Sequence, residues 1–202
     1  MDKNPNGVLK DVFVKLQHEF SNNNPNFVLS SKPFIKLEFL KNLIDYCDYP
    51  VIFLDFDLLY SGYVSSGMIK KRINVKILRV NIKDFEDHIK KLIEIISKDQ
   101  VLVILDSLNV LYNMFEDIDS FRFINANIML LSSVAKNTKS QIVVTAIGIK
   151  NESEKWILSP GGKQLIDSKK SGVYHLAVSG SNLILNSISR NLDDRKSFLI
   201  KK

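Results

Sequence analysis

Short, continuous apolar runs separated by amphipathic stretches constrain this chain more than any other feature. The runs are "VIFL" at 51–54, "VLVIL" at 101–105 and "QIVVTAIG" at 141–148. Runs without polar alternation are expected in strands buried on both faces, as in a parallel sheet covered by helices on either side. Between them, "KDFEDHIKKLIEIIS" places apolar residues at 85, 89, 92, 93 and 96, a helical stripe, and "FRFINANIMLLSSVAKNT" reads as a longer helix. Upstream, "VLKDVFVKLQHEF" has apolar residues at 9, 12, 13, 16 and 20 and is stopped by "SNNNPN". "FVLS" then reads as a short strand, and "IKLEFLKNLIDY" puts Leu37, Leu40, Leu43 and Ile44 on one helical face. "SGYVSSG", with Gly62 and Gly67, reads as turns, and "INVKILRV" from Ile73 as a β-branched strand. The alternation predicts an α/β fold with a mostly parallel central sheet flanked by helices.

Beyond residue 148 the pattern changes. "GVYHLAVS", "NLILNSIS" and "SFLIK" are short strands separated by "GS" and by the polar "RNLDDRK", which predicts a C-terminal antiparallel β-meander appended to the core. No composition shift marks a second domain in 202 residues, so a single domain over 1–202 is expected. Within it, 1–25 forms a helix and linker, 26–148 the α/β core, 149–162 a loop and 163–202 the meander. No repeat with a period of about 20–50 residues is present.

No apolar run approaches a membrane-spanning length, and "MDKNPNG" lacks a secretory pattern, so a cytoplasmic or nucleoid-associated protein is expected. Cys47 is the only cysteine and reads as a packing residue; with three scattered histidines it offers no metal-ligand spacing. The formal charge is +6. Lys70, Lys71, Arg72, Lys76 and Arg79 crowd one region, and Lys163, Lys169, Lys170, Arg190, Arg195, Lys196, Lys201 and Lys202 load the C-terminal quarter. Such a balance is compatible with a polyanionic partner. The group at 70–72 is read as a helix end facing water.

Aspartates at the C-terminal ends of buried parallel strands stand where α/β proteins bind ligands. Asp55 and Asp57 close "VIFL", and Asp106 closes "VLVIL". Together with "VLVILDSLNVLY", "VIFLDFD" followed by "SGYV", "NIMLLSSVAKNTKSQIVVTAIG" and the C-terminal "SPGGKQLIDSKKSGVYHLAVSGSNLILNSISRNLDDRKSFLI", they carry a resemblance to the ATPase core of the RecA/RadA recombinase family, including its KaiC-like relatives. The resemblance covers about residues 8 to 200.

The resemblance implies a phosphate-binding loop at "SSKPFIKL", where the family has G-x-x-x-x-G-K-[ST]. Lys36 takes the lysine place, Ser30 and Ile35 the glycine places, and Leu37 the place of the hydroxyl that ligates Mg²⁺. Such a loop wraps successive backbone N–H groups around phosphate, which Ile35 obstructs and Pro33 depletes. The family's water-activating glutamate falls on Asp57, its Walker B aspartate on Asp106, and its polar sensor within Ala146 and Ile147. Lys36, Asp57 and Asp106 are therefore read as a vestigial nucleotide site, with no ATP or Mg²⁺ cofactor and Lys36 as a surface or salt-bridging lysine. No helix-hairpin-helix segment and no Phe-x-x-Ala tetrapeptide precedes the core, which predicts against the family's filaments.

"GIKNESEKWILSPGG" occupies the place of the family's single-stranded DNA loop, with Lys150, Lys155, Trp156 and Lys163 as candidate contacts. Equally, Trp156 and Ile157 can pack under the loop or meet another protein. Phe198 and Ile200 read as strand core. The expected partners are a RecA/RadA-family protein in a hetero-oligomer, and single-stranded DNA. Two alternatives stand beside this: a RecA-fold structural subunit like those of the tRNA-modifying Elongator assembly, or weak ATP binding through Lys36 and Asp106 completed by a partner.

Overall fold

Each apolar run forms a strand that divides its side chains between two cores. The computed structural model describes residues 5–115, 118–152, 156–159, 163–164, 170–188 and 196–200. The chain begins with α1 (Pro5–Asn22), β1 (Asn26–Ser30), α2 (Pro33–Asp45), β2 (Val51–Asp55), α3 (Leu59–Ser65) and β3 (Val75–Leu78). A 3₁₀ turn (Ile82–Asp84) runs into α4 (Phe85–Ile96), and β4 (Leu102–Asp106), α5 (Leu108–Met114), α6 (Ile118–Thr138) and β5 (Gln141–Lys150) follow. The last strands are β6 (Trp156–Leu158), β7 (Lys163–Gln164), β8 (Gly172–Ser179), β9 (Asn182–Ser187) and β10 (Ser197–Ile200).

The sheet order is β10-β9-β8-β1-β5-β4-β2-β3. From β8 to β3 every neighbouring pair is parallel, while β9 and β10 run antiparallel. Successive residues of a strand point to opposite faces. Phe27, Leu29, Ile52, Leu54, Val103, Leu105, Val144 and Ala146 pack with α4, α5 and α6. Val28, Val51, Phe53, Leu102, Ile104 and Val143 pack with α1, α2 and α3. Both cores contain side chains with no solvent exposure, such as Leu40 and Leu105. Full burial of such a side chain contributes roughly 1.5–3 kcal/mol. No helix of the described residues is long and apolar enough to cross a membrane.

The expected fold class is the observed one, its C-terminal meander joining the central sheet where β8 pairs with β1, with Leu29 opposite His175. Two local readings are corrected. "SGYVSSG" belongs largely to α3 rather than to turns. The carboxylate of Asp57 accepts the Leu59 N–H at 3.1 Å and that of Asp55 accepts the Ser61 N–H at 2.7 Å. Tyr60 stacks on Phe53 with ring centroids 4.5 Å apart. Capping and aromatic burial thus outweigh the cost of about 1 kcal/mol for Gly62 in a helix. Finally, Lys70, Lys71 and Arg72 are not a helix end: α3 stops at Ser65, and they lie in the irregular connection to β3.

Cys47 is buried, as its reading as a packing residue requires, and Ile200 and Phe198 pack into the core beneath α1. Gly172, at the start of β8, is required by space: a Cβ there would lie 2.6 Å from the Tyr174 ring and 2.8 Å from the Asn26 side-chain oxygen.

Candidate functional site

The C-terminal ends of β2 and β4 bring three carboxylates together. Parallel register sets Asp55 directly beside Asp106. One residue past β2 the chain turns, with the N–H groups of Phe56 and Asp57 both directed at the Asp106 carbonyl, at 2.7 and 3.4 Å. This turn aims the Asp57 carboxylate back toward β4. One carboxylate oxygen from each of Asp55, Asp57 and Asp106 lies within 4.8 Å of the others.

Lys36 enters this cluster from the first turn of α2. Its Nζ lies 2.5 Å from Asp57 Oδ2 and 2.5 Å from Asp106 Oδ1, and its side chain has no solvent exposure. The Asp106 side chain is 1% exposed and that of Asp57 20%. The structure therefore brings together all three residues of the expected site, and it places Lys36 in the interior, as a salt-bridging lysine and not a surface one.

Thr145 completes the arrangement by donating its hydroxyl to Asp106 Oδ1. The sequence reading put the polar position of β5 at Ala146 and Ile147. Thr145 precedes them by one residue, and Ala146 faces the opposite core. A strand's period of two removes Ala146 from the face of Val143, and of Thr145 and Ile147, which share that parity, only Thr145 carries a hydroxyl.

Burial and neighbouring charge shift Lys36, Asp106 and Asp55. Burial alone would lower the Lys36 pKa, but the fields of Asp106 and Asp57 outweigh it and hold the ammonium above the ordinary lysine value. Burial raises the Asp106 carboxyl, Lys36 opposes that rise and Asp57 adds to it, and the balance is upward, to about 6. Burial also raises the Asp55 carboxyl against the stabilising Ser61 N–H. Asp55 Oδ1 and Asp106 Oδ2 are buried without a hydrogen-bond partner. The cluster is thus richer in negative charge than its single cation can neutralise, and the carboxyls with raised pKa values are the ones that take up protons.

The residues present do not fit a triphosphate cradle. Only Ser31 and Lys32 separate β1 from α2. The Lys32 N–H is held by Ser30 Oγ at 3.3 Å, and Ser30 Oγ donates to the Lys32 carbonyl at 2.9 Å. Pro33 has no N–H to offer. Leu37, where a hydroxyl would reach a metal, is buried in the apolar core. The cationic charge that would meet phosphate is instead directed inward by Lys36.

The second expected site forms a hairpin in its described part. β6 pairs antiparallel with the end of β5, setting Trp156 opposite Lys150. Trp156 is half-buried, and its ring lies 4.2 Å from that of His175. Both line a groove of about 310 Å³ with Lys150, Asn186 and Lys196. Burial and then the charge of Lys150 lower the His175 pKa. Of the other candidates, Lys155 lies outside the described residues, as do Gly161 and Gly162, and Lys163 is described only as backbone of β7.

No family model and no characterised protein matches this chain in sequence. Among solved structures, a DnaB-like replicative helicase, studied for its interactions with primase, is similar with a TM-score of 0.53 at 10% identity, over 88% of this chain and 54% of that one. The chain thus corresponds to about half of the helicase chain. The RadB recombinase is similar with a TM-score of 0.54 at 9% identity, over 84% of each chain. At these identities the likeness is one of fold, and the fold is RecA-like.

Proposed function

We propose that this chain is a non-catalytic RecA/RadA-type paralog, an accessory subunit in homologous recombination and DNA repair that binds DNA, a partner, or both, beside a catalytically intact RecA-family protein. One observation carries the reading: Lys36, at the lysine place of the phosphate loop, is buried between Asp57 and Asp106. In a nucleotide enzyme that lysine reaches phosphate and the aspartate supports Mg²⁺. In this chain each is the other's counter-ion. The acidic places survive as structure, and function falls to surfaces, among them the hairpin bearing Lys150 and Trp156.

Thermal denaturation with and without saturating Mg²⁺–ATP tests the non-catalytic part. Occupancy at a hundred times the dissociation constant would stabilise the chain by about 2.7 kcal/mol. The expected result is no shift. A shift that Lys36→Ala abolishes refutes the reading. Affinity capture from the native cell, followed by reconstitution from purified chains, tests the partner. A RecA-family recombinase supports the proposal, whereas tRNA-modification subunits support an Elongator-like role instead.

A further inference from the structure

We propose that this chain binds the phosphodiester backbone of a polynucleotide in a basic groove between α3 and β3, at the edge of the sheet. The groove is about 440 Å³ and is lined by Ser61, Val64 and Ser65 from α3, Lys71 from the connection that follows, and Ile77 and Arg79 at β3. No carboxylate lines it. Among the described residues neither Lys71 nor Arg79 has an acidic partner, whereas neighbouring Arg72 is held by Asp45 through its backbone carbonyl at 2.5 Å. Lys71 and Arg79 are exposed.

The chain's charge is concentrated here. Between residues 58 and 83 there are six of its 28 lysines and arginines, Lys70, Lys71, Arg72, Lys76, Arg79 and Lys83, and none of its 22 acidic residues. The remainder carries 22 of each sign, so this stretch accounts for the whole formal charge of +6. A field of one sign over an open groove attracts an extended polyanion. Two exposed cations beside the exposed Ser65 suit successive phosphates, which fix position without reading sequence. The groove's openness and its apolar floor of Val64 and Ile77 offer nothing to orient a single base. The hairpin presents less free charge: Lys196, in its groove, pairs with Glu19 at 2.6 Å, and one neighbour of the Trp156 ring is already His175.

This inference needs neither a recombinase partner nor an inactive nucleotide site, so its failure leaves the reading above intact. It is tested by fluorescence anisotropy of the full chain with a labelled single-stranded oligonucleotide over a salt series, with melting curves verifying that each variant is folded. Lys71→Glu/Arg79→Glu is expected to weaken binding by about tenfold or more and to reduce the slope of log affinity against log salt by about 1.4, two single-strand phosphate contacts. Lys10→Glu/Lys15→Glu on α1, with the same change in net charge, is expected to stay within about threefold of wild type. Equal weakening by both pairs would reduce the groove to a net-charge effect and overturn the proposal. So would unchanged affinity in the groove variant, loss of binding only in Lys150→Glu/Trp156→Ala, or sedimentation with phosphatidylserine vesicles in place of oligonucleotide binding.

Discussion

Lys36→Met isolates the interaction on which the candidate site depends. Methionine keeps the length and apolar stem of the lysine and removes only the ammonium. Asp106, 1% exposed, and Asp57, 20% exposed, would then face each other and Asp55 with no cation between them. Removing one partner of a buried ion pair costs about 3–5 kcal/mol. Domains have total stabilities of about 5–15 kcal/mol. At about 2–4 °C per kcal/mol for a chain of this size, the midpoint should fall by roughly 6–20 °C. The loss should depend on pH. A carboxyl whose folded pKa lies above its unfolded value costs stability as pH rises from the unfolded value through the folded one. Without Lys36 the Asp106 carboxyl moves above its present value of about 6, so the deficit should be smaller near about pH 5 than near about pH 8. Melting followed by circular dichroism at both values is the assay, with Lys36→Met/Asp106→Asn closing a double-mutant cycle whose coupling should exceed about 1 kcal/mol. A loss below about 1 kcal/mol, equal at both values, would mean that the pair is solvated and that Lys36 does not hold the ends of β2 and β4 together.

In the wild type, the Asp106 contribution alone should make the protein more stable as pH falls from neutrality to about 4, by roughly 3 kcal/mol at most, which denaturant titrations across that range would detect. Asp55→Asn keeps a carbonyl oxygen for the Ser61 N–H and removes a buried carboxylate, so it should be neutral or stabilising by about 1 kcal/mol; a loss above about 2 would show that the charge itself is needed. Gly172→Ala should destabilise by about 1–3 kcal/mol, because its Cβ would meet the Tyr174 ring and Asn26, and a melting midpoint equal to wild type would contradict that crowding. Installing the glycines and hydroxyl of a phosphate-binding loop with Ser30→Gly/Ile35→Gly/Leu37→Thr should lower stability by about 3–5 kcal/mol without producing Mg²⁺–ATP-dependent stabilisation, since Leu37 is core and Lys36 stays paired.

Continuous apolar runs made the parallel core legible, because strands buried on both faces leave that mark whatever their neighbours are. β8 is different. Its buried residues, Gly172, Tyr174 and Leu176, alternate with half-buried ones, the mark of a strand with one face partly open. Such a strand fits a separate meander as well as an extension beside β1, and only the three-dimensional path of the chain decides. α3 was hidden by its glycine, and by caps supplied from Asp55 and Asp57 across Leu58, whose left-handed backbone (φ 60°) breaks the usual spacing of cap and helix. Lys36, Asp57 and Asp106 could be grouped through the family resemblance. That Lys36 turns inward followed from no local signal, because burial of a lysine depends on carboxylates brought to it by other strands.

The inward lysine bears on what the fold can do. Well-packed apolar residues would hold the ends of β2 and β4 at least as firmly as a buried ion cluster does, so stability alone is a weak reason for three carboxylates and a lysine there. On the reading proposed above, their positions are those of a site that once met phosphate and metal. With Lys36 permanently supplying the positive charge, the ends of these strands keep one arrangement without a ligand to bind and release. On the proposed reading, a RecA-like fold held in that way has no nucleotide-driven change to transmit. On the same reading, its contribution is a fixed shape that presents surfaces, and one of these, the basic groove of Lys71 and Arg79, is lined in part by Ser61, whose N–H is tethered to Asp55. Asp57, one of the two carboxylates that neutralise Lys36, also caps the helix that walls the groove, so Lys36→Met should weaken oligonucleotide binding under conditions in which the variant remains folded.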